Sequence, residues 1–206
     1  MKSLFISILF LFSINSSFSQ EKEQKKGQLE GIIGLSGTGY SSDALGTNAY
    51  SHSYSFHIGV TYQYHLSNKF SLKSGFIFSP QGDRDSAYEN IAVPIGETIR
   101  EYNVNYINIP LDFTYHIKDY RIFTGPQLGI FIGQENIASL LGDVNPIDYG
   151  ISLGFGKVFE DKLSINLRLY QGLAKVYKTT YQEINTVNLA KATNQVMQIS
   201  FGYIFM

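Results

Sequence analysis

Cysteine is absent from the 206 residues of this sequence, tryptophan is absent as well, and proline occurs only five times. Without cysteine, the chain is neither a lipoprotein nor a small secreted domain held together by disulfides. Neither sign of charge predominates, because 16 basic residues stand against 17 acidic ones. This balance, with no basic patch, argues against nucleic acid as a partner.

Motifs that carry chemistry are also missing. The chain has no glycine-rich phosphate loop, no zinc-ligand spacing and no cofactor fingerprint. We therefore predict no catalytic residue, no metal ligand and no cofactor, and a protein that is not an enzyme. Tyrosine and phenylalanine, by contrast, make up 15% of the chain, and glycine occurs 19 times. Such a composition suits a β-barrel with aromatic residues outside and small residues inside.

The N-terminus has the pattern of a cleavable secretory signal peptide. Lys2 supplies the positive start, Leu4–Ile14 is apolar, and the small residue Ser19 precedes the expected cleavage site. A membrane anchor is the alternative, but the apolar run is shorter than the ~20 residues that a spanning helix needs. We place the signal peptide at residues 1–19 and a single domain at residues 20–206.

The clearest pattern in the chain is the alternation over Ser53–Leu66. Large apolar or aromatic side chains occupy every even position, and small or polar side chains occupy every odd one. A period of two predicts a β-strand with chemically opposite faces. The apolar face has tyrosines towards both ends, as the face of a bilayer-crossing strand does.

Similar segments along the chain predict eight strands. We place them at residues 29–40, 53–66, 70–79, 98–117, 120–133, 147–159, 163–174 and 194–206. Tight turns follow the second, fourth and sixth strands, and long connections follow the first, third, fifth and seventh. This asymmetry is typical of outer-membrane barrels. The predicted fold is an all-β, eight-stranded antiparallel up-and-down transmembrane β-barrel in the cell outer membrane, with short periplasmic turns and long extracellular loops.

Two strands depart from simple alternation. In the third strand, Ile77 interrupts the polar face. In the fourth strand, the large residues occupy even-numbered positions up to Tyr106 and odd-numbered positions after it, and this change predicts a β-bulge near Tyr106. Pro110 cannot donate a hydrogen bond to the ladder and also indicates irregularity in that strand.

A soluble secreted barrel is the alternative fold, because alternation alone does not say which face points inward. However, the polar faces are mostly Gly, Ser, Thr, Asn and Gln, whereas a water-exposed face normally carries many charges. Tyrosines lie at strand ends, and the last strand ends in alternating large apolar residues. These features favour a membrane barrel, with the lipid bilayer as its partner.

Four segments carry a family pattern. Tyr106–Leu111 matches a YL-x-IP-L strand, Gly125–Gly129 matches a GP-x-LG strand, and two further strands are matched by Asp148–Gly156 and Tyr170–Leu173. With these segments the chain resembles the PorT-like, or porin-family, outer-membrane β-barrel proteins of Bacteroidota. Met206 departs from the pattern, since an aromatic residue is usually last. The resemblance implies a membrane barrel and, for function, support of transport or secretion.

Eight strands enclose a space just wide enough for side chains, so we expect no open pore. By parity, the ionisable side chains that point inward include those of Glu30, His57, His65, Lys73 and Arg168. Charges inside a membrane protein are often functional. In so small a barrel, we expect these residues to form a structural network of salt bridges and hydrogen bonds. Whether His57 and Arg168 do more than pack the lumen is open at this point.

Two weaker patterns suggest chemistry. His57, with Ser53 and Ser55 on the same face, would allow a serine–histidine lipid hydrolase near the outer leaflet. Asp83 and Asp85 would allow a calcium site in a loop, although D-x-D alone falls far short of an EF-hand. Ordinary lumen residues and a solvated acidic loop are the simpler interpretations.

The predicted function is structural or interactive: a rigid barrel whose long loops contact an extracellular ligand or a protein partner. The longest loops are the one that ends at Glu97 and the one spanning Lys175–Thr193. The first alternative is an accessory component of an outer-membrane transport or secretion complex, as the resemblance implies. The second is an outer-membrane lipid-modifying enzyme. The ligand, the pathway and the oligomeric state stay open.

Overall fold

The computed structural model describes residues 26–41, 53–83, 102–135, 143–176 and 193–205. Its strands are β1 Gly27–Ser41, β2 Ser53–His65, β3 Phe70–Asp83, β4 Tyr102–Ile117, β5 Tyr120–Glu135, β6 Ile147–Phe159, β7 Leu163–Lys175 and β8 Thr193–Ile204. Neighbours in sequence pair antiparallel, and β1 also pairs with β8, so the sheet closes into a barrel. Within the described ranges, no helix is long and apolar enough to span a membrane.

Tight turns join β2 to β3, β4 to β5 and β6 to β7 at one end of the barrel, which we call the turn end. Lys118 in the β4–β5 turn has a φ of 54°, and Glu160 and Asp161 in the β6–β7 turn have φ values of 49° and 59°. This left-handed backbone follows the twist of the paired strands, so very short connections suffice. The other strand ends form the loop end, which leads into residues 42–52, 84–101, 136–146 and 176–192.

On every strand the outward positions carry mostly large apolar side chains, and the inward positions carry mostly small or polar ones. Tyr54 is 78% exposed, whereas the adjacent Ser53 is 3% exposed. β7 alternates between exposed and buried residues along its whole length. Exposed large apolar side chains occur on all eight strands, and such a continuous surface requires lipid around it. The fold prediction is confirmed, and the soluble alternative, with apolar side chains inside, is wrong.

Where the structure describes them, the strand boundaries agree with the prediction to within two residues, except at the end of β3. Residues 98–101 of the predicted fourth strand and Met206 lie outside the described ranges. β6 occupies the predicted residues, but β3 continues to Asp83 instead of ending at Ser79. Pro80, which we expected to begin a loop, lies within β3 and pairs with Asn105. The sheet continues there because β4 lies alongside. Ile77, the exception to alternation in β3, points inward and is 2% exposed.

The predicted β-bulge is confirmed, although its extra residue lies on the partner strand. The pairing of β4 with β5 shifts between Asn105 and Tyr106, and the additional residue is Ile132 of β5. β4 itself does not change parity, because Val104 and Tyr106 are fully buried inside the barrel. We expected the large residues before and after Tyr106 to share the outward face, and this was wrong. Near the loop end, the inward positions of β4 carry large side chains instead of polar ones.

Candidate functional site

A charged cluster fills the lumen near the turn end. Glu30 of β1 accepts hydrogen bonds from Lys73 Nζ at 2.5 Å and from Arg121 Nη2 at 2.7 Å. Ser164 also donates to Glu30. Arg121 Nε donates to Asn166 Oδ1 at 2.8 Å. Through these contacts the Glu30 carboxylate of β1 is bonded to a lysine of β3, an arginine of β5 and a serine of β7. The hydrogen bonds of this cluster offset the cost of burying its charges.

A second ion pair lies between β4 and β7. Arg168 donates to both oxygens of Asp112, at 2.5 Å and 3.1 Å. Ser152 donates to Asp112 at 3.1 Å and accepts from Arg168 at 3.0 Å. The ring of Phe123 lies 4.9 Å from the Arg168 guanidinium carbon. A two-bond geometry of this kind is the strong form of a buried ion pair.

His57 is fully buried between two serines that the sequence did not assign to it. Its Nδ1 lies 2.9 Å from Ser36 Oγ, and its Nε2 lies 2.8 Å from Ser200 Oγ. Ser53 and Ser55, the expected partners, lie elsewhere: Ser55 donates to the Pro80 carbonyl at 2.7 Å, and the Ser53 carbonyl accepts from Thr38 at 3.4 Å. The serine–histidine arrangement expected for lipid hydrolysis is therefore not formed by these residues.

Asp148 lies inside the barrel near the loop end and binds neutral donors. Its Oδ2 accepts hydrogen bonds from the Tyr170 hydroxyl and from Asn194 Nδ2, both at 3.0 Å. Asp148 is 2% exposed. It therefore ties β6 to β7 and β8 without a salt bridge, in contrast to Glu30 and Asp112.

Two histidines meet at the turn end of the lumen. The ring centres of His65 and His116 lie 5.4 Å apart. Gln63 Nε2 lies 3.2 Å from His65 Nε2 and 3.5 Å from His116 Nε2. Ser71 Oγ lies 2.8 Å from His116 Nε2. Both histidines are only partly buried, so solvent reaches them at the turn end.

The five ionisable residues predicted to face inward all do so. Glu30, His57, Lys73 and Arg168 are buried, and His65 is half-buried. The prediction missed further lumen residues with the same parity signal: Asp112, His116, Arg121 and Asp148.

The suggested loop calcium site has no support from the described residues. Asp83 is the last residue of β3, and Asp85 lies outside the described ranges. In the described parts of the chain, no group of three or more His, Asp or Glu side chains could hold a metal ion.

Comparison with solved structures gives other small membrane barrels. Ail of Yersinia pestis, crystallised with the heparin analogue sucrose octasulfate, is 12% identical, with a TM-score of 0.48 and coverage of 88% of this chain and 100% of that one. Neisserial surface protein A is 7% identical, with a TM-score of 0.45 and coverage of 87% and 97%. Outer Membrane Protein W of E. coli is 12% identical, with a TM-score of 0.42 and coverage of 88% and 100%. Similarities this low transfer no ligand or role to this chain.

No curated protein sequence matches the chain significantly. The family described as "Outer membrane protein beta-barrel domain" does match, over residues 4–178. That match covers most of the chain and agrees with the closed barrel, its outward apolar faces and its polar lumen. The signal peptide and the narrower PorT-like resemblance stay predictions. The chain belongs to the outer membrane protein β-barrel domain family.

Proposed function

We propose that this outer-membrane protein is a rigid barrel that presents its four long connections to an extracellular ligand or protein partner. The supporting observation is the lumen, which contains buried polar or charged side chains from all eight strands. Ion pairs and hydrogen bonds join them across the barrel, which makes the interior a poor route for solutes. The outer wall faces lipid. The connections at the loop end are therefore the surface that we propose for recognition of a partner.

The sequences of the two longest connections differ in charge, which suits contact with distinct surfaces. Residues 84–101 contain four acidic residues and two basic ones: Asp85, Glu89, Glu97 and Glu101 against Arg84 and Arg100. Residues 176–192 contain Lys178 and Lys191 against Glu183, together with two tyrosines. These residues lie outside the described ranges apart from Val176, so their role is proposed from composition alone.

Loop replacement tests the proposal. Each of the four connections, at residues 42–52, 84–101, 136–142 and 177–192, is replaced in turn by a short Gly-Asn turn, and folding is checked by heat-dependent migration in SDS. Partners on intact cells are captured with a membrane-impermeant crosslinker. We expect at least one replacement to abolish a crosslinked partner, while a Gly-Ser replacement of residues 67–69 at the turn end retains it. Capture that survives every replacement would contradict the proposal.

A second candidate is an accessory role in an outer-membrane transport or secretion complex. The segments that carry the PorT-like resemblance favour it, and they pair directly in the barrel, with Ile109 opposite Leu128. Native electrophoresis of mild detergent extracts distinguishes the candidates. A large complex that persists after all loop replacements favours the accessory role, whereas a complex that depends on one loop favours the loop-binding scaffold.

A further inference from the structure

Three side chains at the turn end converge on one point. His65 Nε2 and His116 Nε2 lie 3.2 Å and 3.5 Å from the same atom, the amide nitrogen of Gln63. The two rings are tilted by 42° to each other, with centres 5.4 Å apart. Two imidazole nitrogens thus face a single position that the Gln63 amide group occupies.

The strand register produces this convergence. His65 of β2 pairs with Ser71 of β3, and Ser71 pairs with Thr114 of β4, two residues before His116. β3 therefore places a small serine between the two histidines. A larger side chain at position 71 would keep the imidazole rings apart.

Hydrogen bonding in this cluster is incomplete. Gln63 is 3% exposed, and its Oε1 has no hydrogen-bond partner; His65 Nδ1 is buried and has none either. Buried polar atoms without partners call for an explanation such as a bound ion. Rotation of the Gln63 amide by half a turn gives up the 3.4 Å hydrogen bond from Gln63 Nε2 to Gln28 Oε1. It brings the unpartnered oxygen to the position that the two imidazole nitrogens face.

We propose that His65, His116 and Gln63 bind one divalent transition-metal ion, of the zinc, copper or nickel class, at the turn end of the lumen. Imidazole nitrogen is a preferred ligand of these metals, whereas magnesium and calcium prefer oxygen. Partial exposure of both histidines gives the ion a path from solvent. His116 Nε2 also lies 2.8 Å from Ser71 Oγ, a contact that the bound ion would replace. His57 takes no part, because it is fully buried and both of its ring nitrogens are matched by serines.

Nearby charges and the number of histidines set the expected number of ions. Arg121 pairs with His116 in the ladder, and Lys73 follows Ser71 by two residues on β3. Their two positive charges are offset by one carboxylate, Glu30. The excess positive charge weakens the binding of any cation, and the described residues place one pair of histidines at this end, so we expect a stoichiometry of one ion per barrel.

Zinc titration of the folded chain tests this site. The mature protein, without an affinity tag, is titrated with Zn²⁺ in detergent micelles by isothermal calorimetry. We expect saturable binding that is weakened about tenfold or more in His65→Ala and in His116→Ala, because each removes a ligand and the loss of an outer-shell partner alone typically costs about 10–100-fold in metal affinity. His52→Ala is the matched control and retains wild-type affinity. Excess Mg²⁺ does not compete.

A gain-of-affinity variant makes the test independent of any folding defect in the alanine variants. Gln63→Glu supplies a carboxylate at the same position, and we expect it to bind Zn²⁺ more tightly than the wild type. Heat-dependent migration in SDS confirms that each variant is folded. The site is disproved by a folded wild type without saturable Zn²⁺ binding, by full binding in the folded double-alanine variant, or by loss of binding in His52→Ala.

Discussion

Arg168 of β7 and Asp112 of β4 form a two-bond ion pair across the lumen, with Nη2–Oδ2 at 2.5 Å and Nη1–Oδ1 at 3.1 Å. These two strands are not neighbours in the barrel. The ion pair therefore joins parts of the wall that no backbone ladder joins directly. Together with the Glu30 cluster, it explains how a lumen with several buried charges stays stable.

Breaking this ion pair from one side should destabilise the barrel strongly. Arg168→Met leaves the Asp112 carboxylate buried and unpaired, so we expect the free energy of unfolding to fall by about 3–5 kcal/mol. Urea unfolding of the micelle-bound barrel, followed by tyrosine fluorescence, measures it. The double variant Asp112→Leu/Arg168→Met should recover most of the loss, and Lys162→Met in an exposed turn should change little. A double variant no better than the single one would contradict this account.

Emptying the turn end of the lumen should make the barrel conduct ions. Alanine at Glu30, Lys73 and Arg121 removes three side chains that together fill the space between β1, β3 and β5. We expect no steady conductance from the wild type in planar bilayers and a measurable conductance from the triple variant. Alanine at the exposed turn residues Lys118 and Lys162 serves as the control. Steady conductance through the wild type would refute the closed lumen.

Two glycines on β5 should respond oppositely to the same substitution. A methyl group at Gly125 would run into the main chain of β4, where the Leu111 carbonyl carbon lies 2.9 Å from the added carbon. A methyl group at Gly133 would meet nothing within 4 Å. We expect Gly125→Ala to reduce the heat-shifted folded fraction in SDS sharply and Gly133→Ala to leave it unchanged. Equal yields of folded protein would show that the close approach at Gly125 is unimportant.

A charge on the outer wall should be costly only where lipid covers the barrel. Leu167 lies in the middle of β7 and is 40% exposed. Leu167→Arg should reduce the free energy of unfolding in lipid vesicles by about 2–4 kcal/mol, the cost of arginine near the bilayer midplane. Glu160→Arg, in the β6–β7 turn, is the control and should cost close to nothing. Similar values for both variants would indicate that the outer wall is not embedded in lipid.

Local patterns in the sequence were enough for most of the fold. The alternation in β2 and β6 fixed their faces and ends to within one residue, because side-chain parity is a property of the strand itself. The end of β3 was predicted too early. Pro80 interrupts the sequence pattern of a strand, but the pairing of β3 with β4 continues beyond it. The bulge was found near Tyr106 from a supposed change of face, but the extra residue is Ile132 on the opposite strand.

For the candidate site, the same reasoning predicted which residues point into the lumen but not which of them contact each other. Parity placed Glu30, Lys73 and Arg168 in the lumen, and it applies equally to Arg121, which lies between the outward Tyr120 and Ile122. The alternation therefore indicates that Arg121 points inward, but it does not indicate which side chains Arg121 contacts. His57 illustrates this, since the serines nearest in sequence are not the ones it contacts.

The sequence by itself determined the eight strands, the outward apolar faces and the alternation of tight and long connections, because these depend on short-range spacing. Only the tertiary structure decided which lumen side chains meet. Barrel closure and strand register bring Glu30 to Arg121 and Asp112 to Arg168 over long sequence separations. The same register sets His65 beside His116 across a small serine. Such pairings arise from the geometry of the whole closed sheet, which no single segment encodes.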